Sequence, residues 1–284
     1  MKKLIFTLFA LILCVSVFAQ EKKNTFYLAF EGGTYSYREP HMQYPISVKG
    51  DKMGASFEWI GRSVLSNDIT PEDPSFATFE VRYMTGDAKY EGWLMNPITE
   101  EVTPTSSDGE EDHYFEARIT LGKTYDLNDT FTLWPFLGIA YRRLYNNSYI
   151  EGGYKRISNY GYMPLGLKLS ADMGSGWMAT LSGEFDWLIY GKQKSGIFEE
   201  EGYGYVVNQQ KQGYGLRGSI KLEKTFSNKF GIFVEPYYRM WKIQNSEETV
   251  VIGYDPVEEA YWAMSFIEPF NVTKEAGIKV GITF

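Results

Sequence analysis

The chain has 284 residues, with 28 Lys and Arg against 36 Asp and Glu, and 17% of its residues are aromatic. A net charge of −8 argues against nucleic acid as a partner, because proteins that bind nucleic acid present a basic surface. The single cysteine, Cys14, lies near the amino terminus, so the rest of the chain can form neither a disulfide nor a cysteine metal site.

Residues 1–19 are predicted to be a cleaved signal peptide. Lys2 and Lys3 supply its charge, a short apolar run follows, and Ala19 ends a small-residue cleavage site before Gln20. The apolar run is too short for a membrane anchor, and no later window approaches the about twenty apolar residues that a spanning helix needs. Residues 20–284 are then one domain with 26 basic and 36 acidic side chains, a net charge of −10.

Alternation of apolar and polar side chains predicts ten antiparallel strands in this domain. Short turns, such as Asn128-Asp129, 174–176 and 227–229, alternate with long polar loops, among them 38–51, 89–112, 195–210 and 244–268, and another through Lys155 and Arg156. The connection 63–74 is long for a short turn. In the seventh strand we predict Trp187 and Ile189 to face outward and Tyr190 and Lys192 to face inward. The predicted strands are 24–37, 52–62, 75–88, 113–126, 130–145, 158–172, 177–193, 211–225, 230–243 and 269–284.

Nearly every predicted strand carries a continuous apolar face opposite a face with charges at its middle. A soluble sandwich would bury its apolar face and keep charges to loops and outer faces. In a membrane barrel the apolar face meets lipid and the charged face meets the lumen. The pattern therefore predicts an all-β protein, a transmembrane antiparallel up-and-down β-barrel of ten strands, with eight to twelve as the range.

The last strand ends the chain on an aromatic residue. Its outward residues are Ile278, Val280, Ile282 and Phe284, and Glu275 and Lys279 lie between them. Such an ending is typical of the closing strand of an outer-membrane barrel, where it also serves as the assembly signal. We expect this strand to pair with the first strand, near Glu31.

The predicted lumen contains nine acidic and eight basic side chains. Unpaired charges in a narrow lumen are costly, so this balance favours ion-pair networks that plug the barrel. A narrow solute or ion path and a catalytic lumen are the alternatives. The predicted lumen charges are Glu31, Glu58, Glu80, Arg82, Glu116, Arg118, Arg142, Lys168, Glu184, Asp186, Arg217, Lys221, Glu223, Glu235, Arg239, Glu275 and Lys279.

The long loops are acidic. Carboxylates there either keep the surface solvated or contact divalent cations at an anionic lipid surface. No EF-hand spacing supports a dedicated metal site. The loop carboxylates are Glu100, Glu101, Asp108, Glu110, Glu111, Asp112, Glu199, Glu200, Glu201, Glu247, Glu248, Asp255, Glu258 and Glu259.

Catalytic motifs are scarce. Omptin-type proteases, which are ten-stranded barrels, use Asp and His on the rim, and only His41 and His113 are present here. His113 follows Glu111 and Asp112 at a loop mouth, where it could act as a base. No matching pair of aspartates surrounds it, and Gly-x-Ser-x-Gly, Walker and zinc patterns are absent. We therefore expect no enzyme, no cofactor and no metal.

Several segments resemble an uncharacterised family of small bacterial outer-membrane β-barrel proteins of the porin-like type. The strings are SNYGYMPLGLKL at 158–169, YGKQKSG at 190–196, GYGLRGSIKLEK at 213–224, FVEPYYRMWKI at 233–243 and EPFNVTKEAGIKVGITF at 268–284. Residues 38–54 are similar to the family's first loop and second strand. The resemblance implies an outer-membrane barrel and no known substrate.

The combined hypothesis is a monomeric barrel of the outer membrane, exported by its signal peptide. We expect a structural or surface-interaction role with a plugged lumen, and keep a narrow channel and a rim protease as alternatives. The expected partners are outer-membrane lipid, lipopolysaccharide and, during biogenesis, the barrel-assembly machinery.

Overall fold

A computed structural model describes residues 24–62, 74–95, 102–149, 153–199, 204–226, 230–255 and 259–284. The predicted signal peptide, residues 63–73 of the long connection and the turn at 227–229 lie outside the described residues. Within them, no helix is long and apolar enough to cross a membrane.

The described residues form fourteen strands. They are β1 (Asn24–Glu39), β2 (Ile46–Arg62), β3 (Ser75–Met95), β4 (Val102–Lys123), β5 (Tyr125–Asp126), β6 (Phe131–Asn147), β7 (Lys155–Gly174), β8 (Trp177–Phe198), β9 (Gly204–Gln210), β10 (Gly213–Thr225), β11 (Gly231–Ile243), β12 (Thr249–Asp255), β13 (Ala260–Phe266) and β14 (Asn271–Thr283).

These strands close into an antiparallel barrel, which confirms the predicted fold. Each barrel strand pairs with the next, and the ring closes where β14 pairs with both β11 and β1. β9 and β10 pair with successive parts of β8 and so occupy a single strand position in the barrel. With these two counted as one strand, the barrel has the ten strands predicted. The two-residue β5 pairs only with β6, while β12 and β13 form a separate hairpin.

The closing seam runs along the whole of the terminal strand. Pairing extends from Tyr27 opposite Thr283 to Arg38 opposite Val272. Beyond the Tyr27–Thr283 pair, the amide of Phe26 donates to the carbonyl of Phe284 at 2.9 Å, and the amide of Phe284 donates to the carbonyl of Phe26 at 3.1 Å. The two phenyl rings stack with centroids 5.8 Å apart. Closure leaves no unpaired sheet edge at the seam.

Short turns and long extensions lie at opposite ends of the barrel. The β7–β8 turn is tight because Gly174, Ser175 and Gly176 all adopt positive φ angles of 79°, 51° and 77°. The β5–β6 connection is held by Asn128, whose Oδ1 accepts from the amides of Thr130 and Phe131 at 2.9 Å. The sequence predicted both as turns.

The strands are longer than predicted at the opposite end. Several predicted loops are wrong, because the chain there forms further strand: 46–51 belongs to β2, 89–95 to β3 and 102–112 to β4. Lys155 and Arg156 begin β7, and most of 195–210 belongs to β8 and β9. Outside the lipid layer neither face must be apolar, so these extensions lose the alternation that identifies a strand.

A bulge in β8 overturns two predicted orientations. The register with β7 shifts between Gly161, which faces Tyr190, and Tyr162, which faces Leu188. The extra residue reverses the alternation, so Leu188 and Gln193 are buried inside while Tyr190 is 48% exposed on the outer face. Tyr190 and Lys192 therefore face outward, and the inward prediction for both is wrong.

The predicted last loop contains the β12–β13 hairpin, which packs against the end of β8. Trp262 and Phe266 lie with ring centroids 5.4 and 5.5 Å from that of Phe198. Asn208 of β9 donates to the carbonyl of Phe266 at 2.9 Å. These contacts fix the base of the hairpin on the barrel wall.

Candidate functional site: the barrel lumen

Opposite charges face each other across adjacent strands at the middle of the barrel. Direct cross-strand pairs of this kind stabilise a sheet. Two pairs oppose like charges instead, Glu58 with Glu80 and Arg217 with Arg239. The opposite pairs are Glu31 with Lys279, Glu80 with Arg118, Arg82 with Glu116, Glu116 with Arg142, Glu184 with Arg217, Glu235 with Lys279 and Arg239 with Glu275.

Arg82 is the centre of the first cluster and is 2% exposed. Its Nε donates to Glu31 at 2.9 Å, its Nη1 donates to Glu116 at 2.6 Å, and its Nη2 donates to Glu80. A guanidinium presents five donors in a planar fork, so one Arg can join three carboxylates from different strands.

Arg217 is the centre of a second cluster that shares Glu116. Its Nη1 and Nη2 donate to the two oxygens of Glu116 at 2.9 and 2.6 Å, and its Nε donates to Asp186 at 2.6 Å. Tyr162 donates to Glu116 at 2.7 Å. Because Glu116 joins Arg82 to Arg217, the two clusters are one continuous network.

A third cluster surrounds Glu275 on the closing strand. Arg142 and Tyr114 donate to its two oxygens, Tyr114 at 2.6 Å. Arg239 lies 3.5 Å from Glu275 and donates to Glu31 at 3.1 Å. The network therefore crosses the lumen from β6 to β14 and returns to the first cluster through Glu31.

The remaining predicted charges lie around this centre. Arg118 donates to Glu80 at 2.8 Å and also to Glu184. Lys279 lies 3.5 to 3.8 Å from Glu80, Glu31 and Glu235. Two pairs stand apart from the network: Lys168 with Glu58 at 3.3 Å, and Lys221 with Glu223 at 3.7 Å.

Little space is left between these side chains. A cavity of about 90 Å³ lies beside Arg118, Lys168 and Glu184, and one of about 40 Å³ lies on the other side of the network beside Tyr160 and Asn271. Such volumes hold a few water molecules. Aromatic rings fill the lumen toward the short-turn end, where Phe76 packs on Trp134 with centroids 5.1 Å apart.

Two groups of charges were missed by sequence reasoning. Lys52 pairs with Asp112 inside the barrel, although Asp112 was assigned to a loop. Arg156 donates to Glu39 at 2.9 Å and also to Glu268, near the long-loop end. The alternation in β2 already indicated that Lys52 faces inward. Asp112, Arg156 and Glu268, however, lie in stretches that were predicted as loops, so no facing was assigned to them.

Burial shifts the pKa of two groups at this end of the barrel. It raises the pKa of Glu268 above its usual 4.5, Arg156 opposes the shift, and Glu39 adds to it. Burial likewise raises the pKa of Tyr154 to about 12.

The histidines do not approach the lumen network. His113 lies on the outward-facing parity of β4, stacked on Tyr145 at 4.6 Å, and its Nδ1 lies 3.5 Å from Glu111. His41 stacks on Phe270 at 4.4 Å. In the part of the chain that the structure describes, no three His, Cys, Asp or Glu side chains are grouped to hold a metal ion. The loop residues Glu100, Glu101, Glu200, Glu201 and Glu258 lie outside it.

A scan against protein-family models finds no match, and a search of curated proteins finds no similar sequence. The structure is similar to the outer membrane protease OmpT from Escherichia coli, with a TM-score of 0.54 and 12% identity over 92% of this chain and 97% of OmpT. The translocator domain of the autotransporter NalP from Neisseria meningitidis gives a TM-score of 0.41 and 8% identity over 99% of this chain and 95% of that one.

A major outer membrane protein from Thermus thermophilus gives a TM-score of 0.38 and 10% identity over 92% of this chain and 99% of that one. At such identities only the fold is shared, and among these three proteins it is OmpT whose barrel matches with a TM-score above 0.5. The chain therefore has the closed antiparallel barrel fold of outer-membrane β-barrel proteins, as the alternation and the resemblance imply.

Proposed function

We propose that this protein is an integral outer-membrane barrel whose lumen is closed to solutes and whose long-loop end forms a surface-interaction wall. The observation that carries the proposal is the continuous network from Arg82 through Glu116 to Arg217. It spans a narrow barrel, and barrels of about eight strands are already filled by side chains.

Membrane insertion is supported by the outer face. Phe30, Ile139 and Ile189 are 75%, 65% and 61% exposed there. On β8 the apolar face runs from Trp177 to Trp187, which spans about 25 Å for a strand tilted by about 40°. Aromatic residues at both limits match the interfacial girdles of a membrane barrel. An apolar band of this height is suited to lipid rather than to water.

The orientation follows from the connections. In outer-membrane barrels the short turns lie in the periplasm and the long loops outside the cell. The β7–β8 turn is then periplasmic, while the β3–β4 extension and the β12–β13 hairpin project from the cell. Export by the signal peptide, folding by the barrel-assembly machinery and a monomeric state belong to the same proposal.

Planar-bilayer conductance tests the closed lumen. The wild-type protein should insert without discrete openings, because two layers of large side chains block the path. The double variant Arg82→Ala/Arg217→Ala should conduct more than the wild type. The control Arg38→Ala/Lys274→Ala removes two cations from the outer face and should stay closed. Nanosiemens openings of the wild type would instead support a narrow channel.

We also propose that the barrel has no catalytic role. Support comes from the outward parity of His113 and from Glu111 being its one carboxylate neighbour within ion-pair distance among the described residues. A protease assay on the wild type and on His113→Ala tests this proposal. Cleavage by the wild type that is lost in the variant would contradict it and support the rim protease.

A further inference from the structure

Three polar side chains form a row on the outer face, just above the apolar band. The register places Arg143 of β6 opposite Asn159 of β7, and Asn159 opposite Lys192 of β8. Adjacent strands lie about 4.8 Å apart, so Arg143 and Lys192 flank Asn159 at about that distance on each side. We call Arg143, Asn159 and Lys192 the outer cationic row.

The charges of this row are not neutralised by the protein. Among the described residues, no carboxylate lies within ion-pair distance of Arg143 or Lys192. By contrast, Lys49 and Lys89 on the outer faces of β2 and β3 both pair with Glu91, at 3.5 and 3.1 Å. The row therefore presents a positive charge that no described carboxylate neutralises.

The amide of Asn159 is oriented as a donor. Tyr141 donates to its Oδ1 at 2.7 Å, which leaves the Nδ2 amino group to act as a donor. One step toward the membrane lies Gly161, where an added Cβ would meet only the Cβ of Tyr190, at 3.7 Å. Tyr141 and Tyr190 thus form the sides of a shallow notch that leads down onto the apolar band.

The bulge in β8 creates this arrangement. With unbroken alternation Lys192 would enter the lumen and Tyr190 would not flank Gly161. The extra residue at Ile189 turns both outward, above the belt, at the height where lipid headgroups lie. A local irregularity of the strand therefore supplies one cation and one side of the notch.

We propose that the outer cationic row binds the phosphate group of an anionic lipid in the outer leaflet, with the lipid's apolar part descending through the notch at Gly161. This inference rests on the proposed insertion into a membrane. A guanidinium matches two phosphate oxygens, an ammonium adds a point charge, and the Asn159 amide adds a donor between them in the register. Basic side chains at the membrane surface attract anionic lipid.

The test is native mass spectrometry of the folded protein in detergent, titrated with dimyristoylphosphatidic acid. Each charge contributes about 1 kcal/mol at a membrane surface, so Arg143→Gln or Lys192→Gln should weaken binding about 5-fold and the double variant about 30-fold. Lys49→Gln is the matched control on the same outer face and should bind as the wild type does. All of these changes are on the surface, and heat-modifiable gel mobility verifies folding of each variant.

Three results would overturn the lipid site. The double variant could bind like the wild type, neutral dimyristoylglycerol could bind as tightly as the phosphatidic acid, or millimolar inorganic phosphate could displace the lipid. The last result would assign the row to a free anion. Failure of membrane insertion is read separately, by flotation with vesicles: a protein that floats but does not select phosphatidic acid contradicts only this inference.

Discussion

The buried pair between Lys52 and Asp112 makes a quantitative test of the lumen. Both side chains are 4% exposed, and the Lys52 ammonium also lies 4.1 Å from the centre of the Tyr35 ring. Replacing Lys52 by Met keeps the aliphatic stem and leaves Asp112 buried without its ion-pair partner. Breaking a buried pair in this way costs about 3–5 kcal/mol of folding free energy.

Two further variants show whether the cost of Lys52→Met in folding free energy comes from a buried, unpaired charge. Lys168→Met breaks a lumen pair whose side chains are 25% and 23% exposed, and should cost about 1 kcal/mol or less because solvent screens it. In Lys52→Met/Asp112→Leu no charge is left alone, so most of the lost stability should return. The double variant should lie within about 1.5 kcal/mol of the wild type.

The assay is urea unfolding of the protein in phospholipid vesicles, followed by tryptophan fluorescence and by heat-modifiable gel mobility. Coincident transitions by the two probes would justify a two-state free energy. If Lys52→Met costs no more than Lys168→Met, or if the double variant is no better than the single one, burial does not set the cost of these charges. The lumen would then be hydrated enough to screen its charges.

The remaining predictions concern the closing seam, the packing of the lumen, and the ion-pair cluster of Arg156, Glu39 and Glu268 at the long-loop end. Phe284→Ala removes the ring stacked on Phe26 and should reduce the folded fraction on semi-native gels, whereas Thr249→Ala in the hairpin should not. Gly277→Val should be strongly destabilising in urea, because an added Cβ would collide with the backbone carbonyl of Gly32 and lie 2.7 Å from the Tyr237 hydroxyl; a loss below about 1 kcal/mol would contradict this packing. The raised pKa of Glu268 means that its contribution to stability is present below pH 4.5 and is lost as the pH rises through the folded pKa. Protection factors for hydrogen exchange in 244–255 and 259–270, which are corrected for the intrinsic acceleration of exchange with pH, should therefore be larger at pH 5 than at pH 8 in the wild type, and this difference should shrink in Glu268→Gln.

Sequence reasoning worked best where lipid imposes a rule. Within the apolar band, one face of each strand must be apolar and every backbone group must pair. Alternation alone therefore located all ten barrel strands. It also assigned which side chains face outward, up to the bulge in β8. Arg82, Glu116 and Arg217 were assigned to the inner face by parity. Their partners were not predictable. Alternation shows that a carboxylate faces inward, but it does not show which of the inward carboxylates on several strands an arginine will contact.

The same reasoning failed where the rule is absent. Residues 102–112 are strand because β3 pairs with them, although their composition is typical of a polar loop. Lys52 and Asp112 meet only because those extensions carry the barrel past the lipid. The β8 bulge left no signal in the alternation, since Leu188 and Ile189 are both apolar and either could face out.

The sequence by itself determined the two-faced strands of a β-barrel, because the period of two is a local property of the chain. The tertiary structure alone decided which charges meet, how far the walls rise beyond the membrane, and that Lys192 joins Arg143 on the outer face. Those outcomes depend on register between distant strands, and register is a property of the closed ring rather than of any one segment.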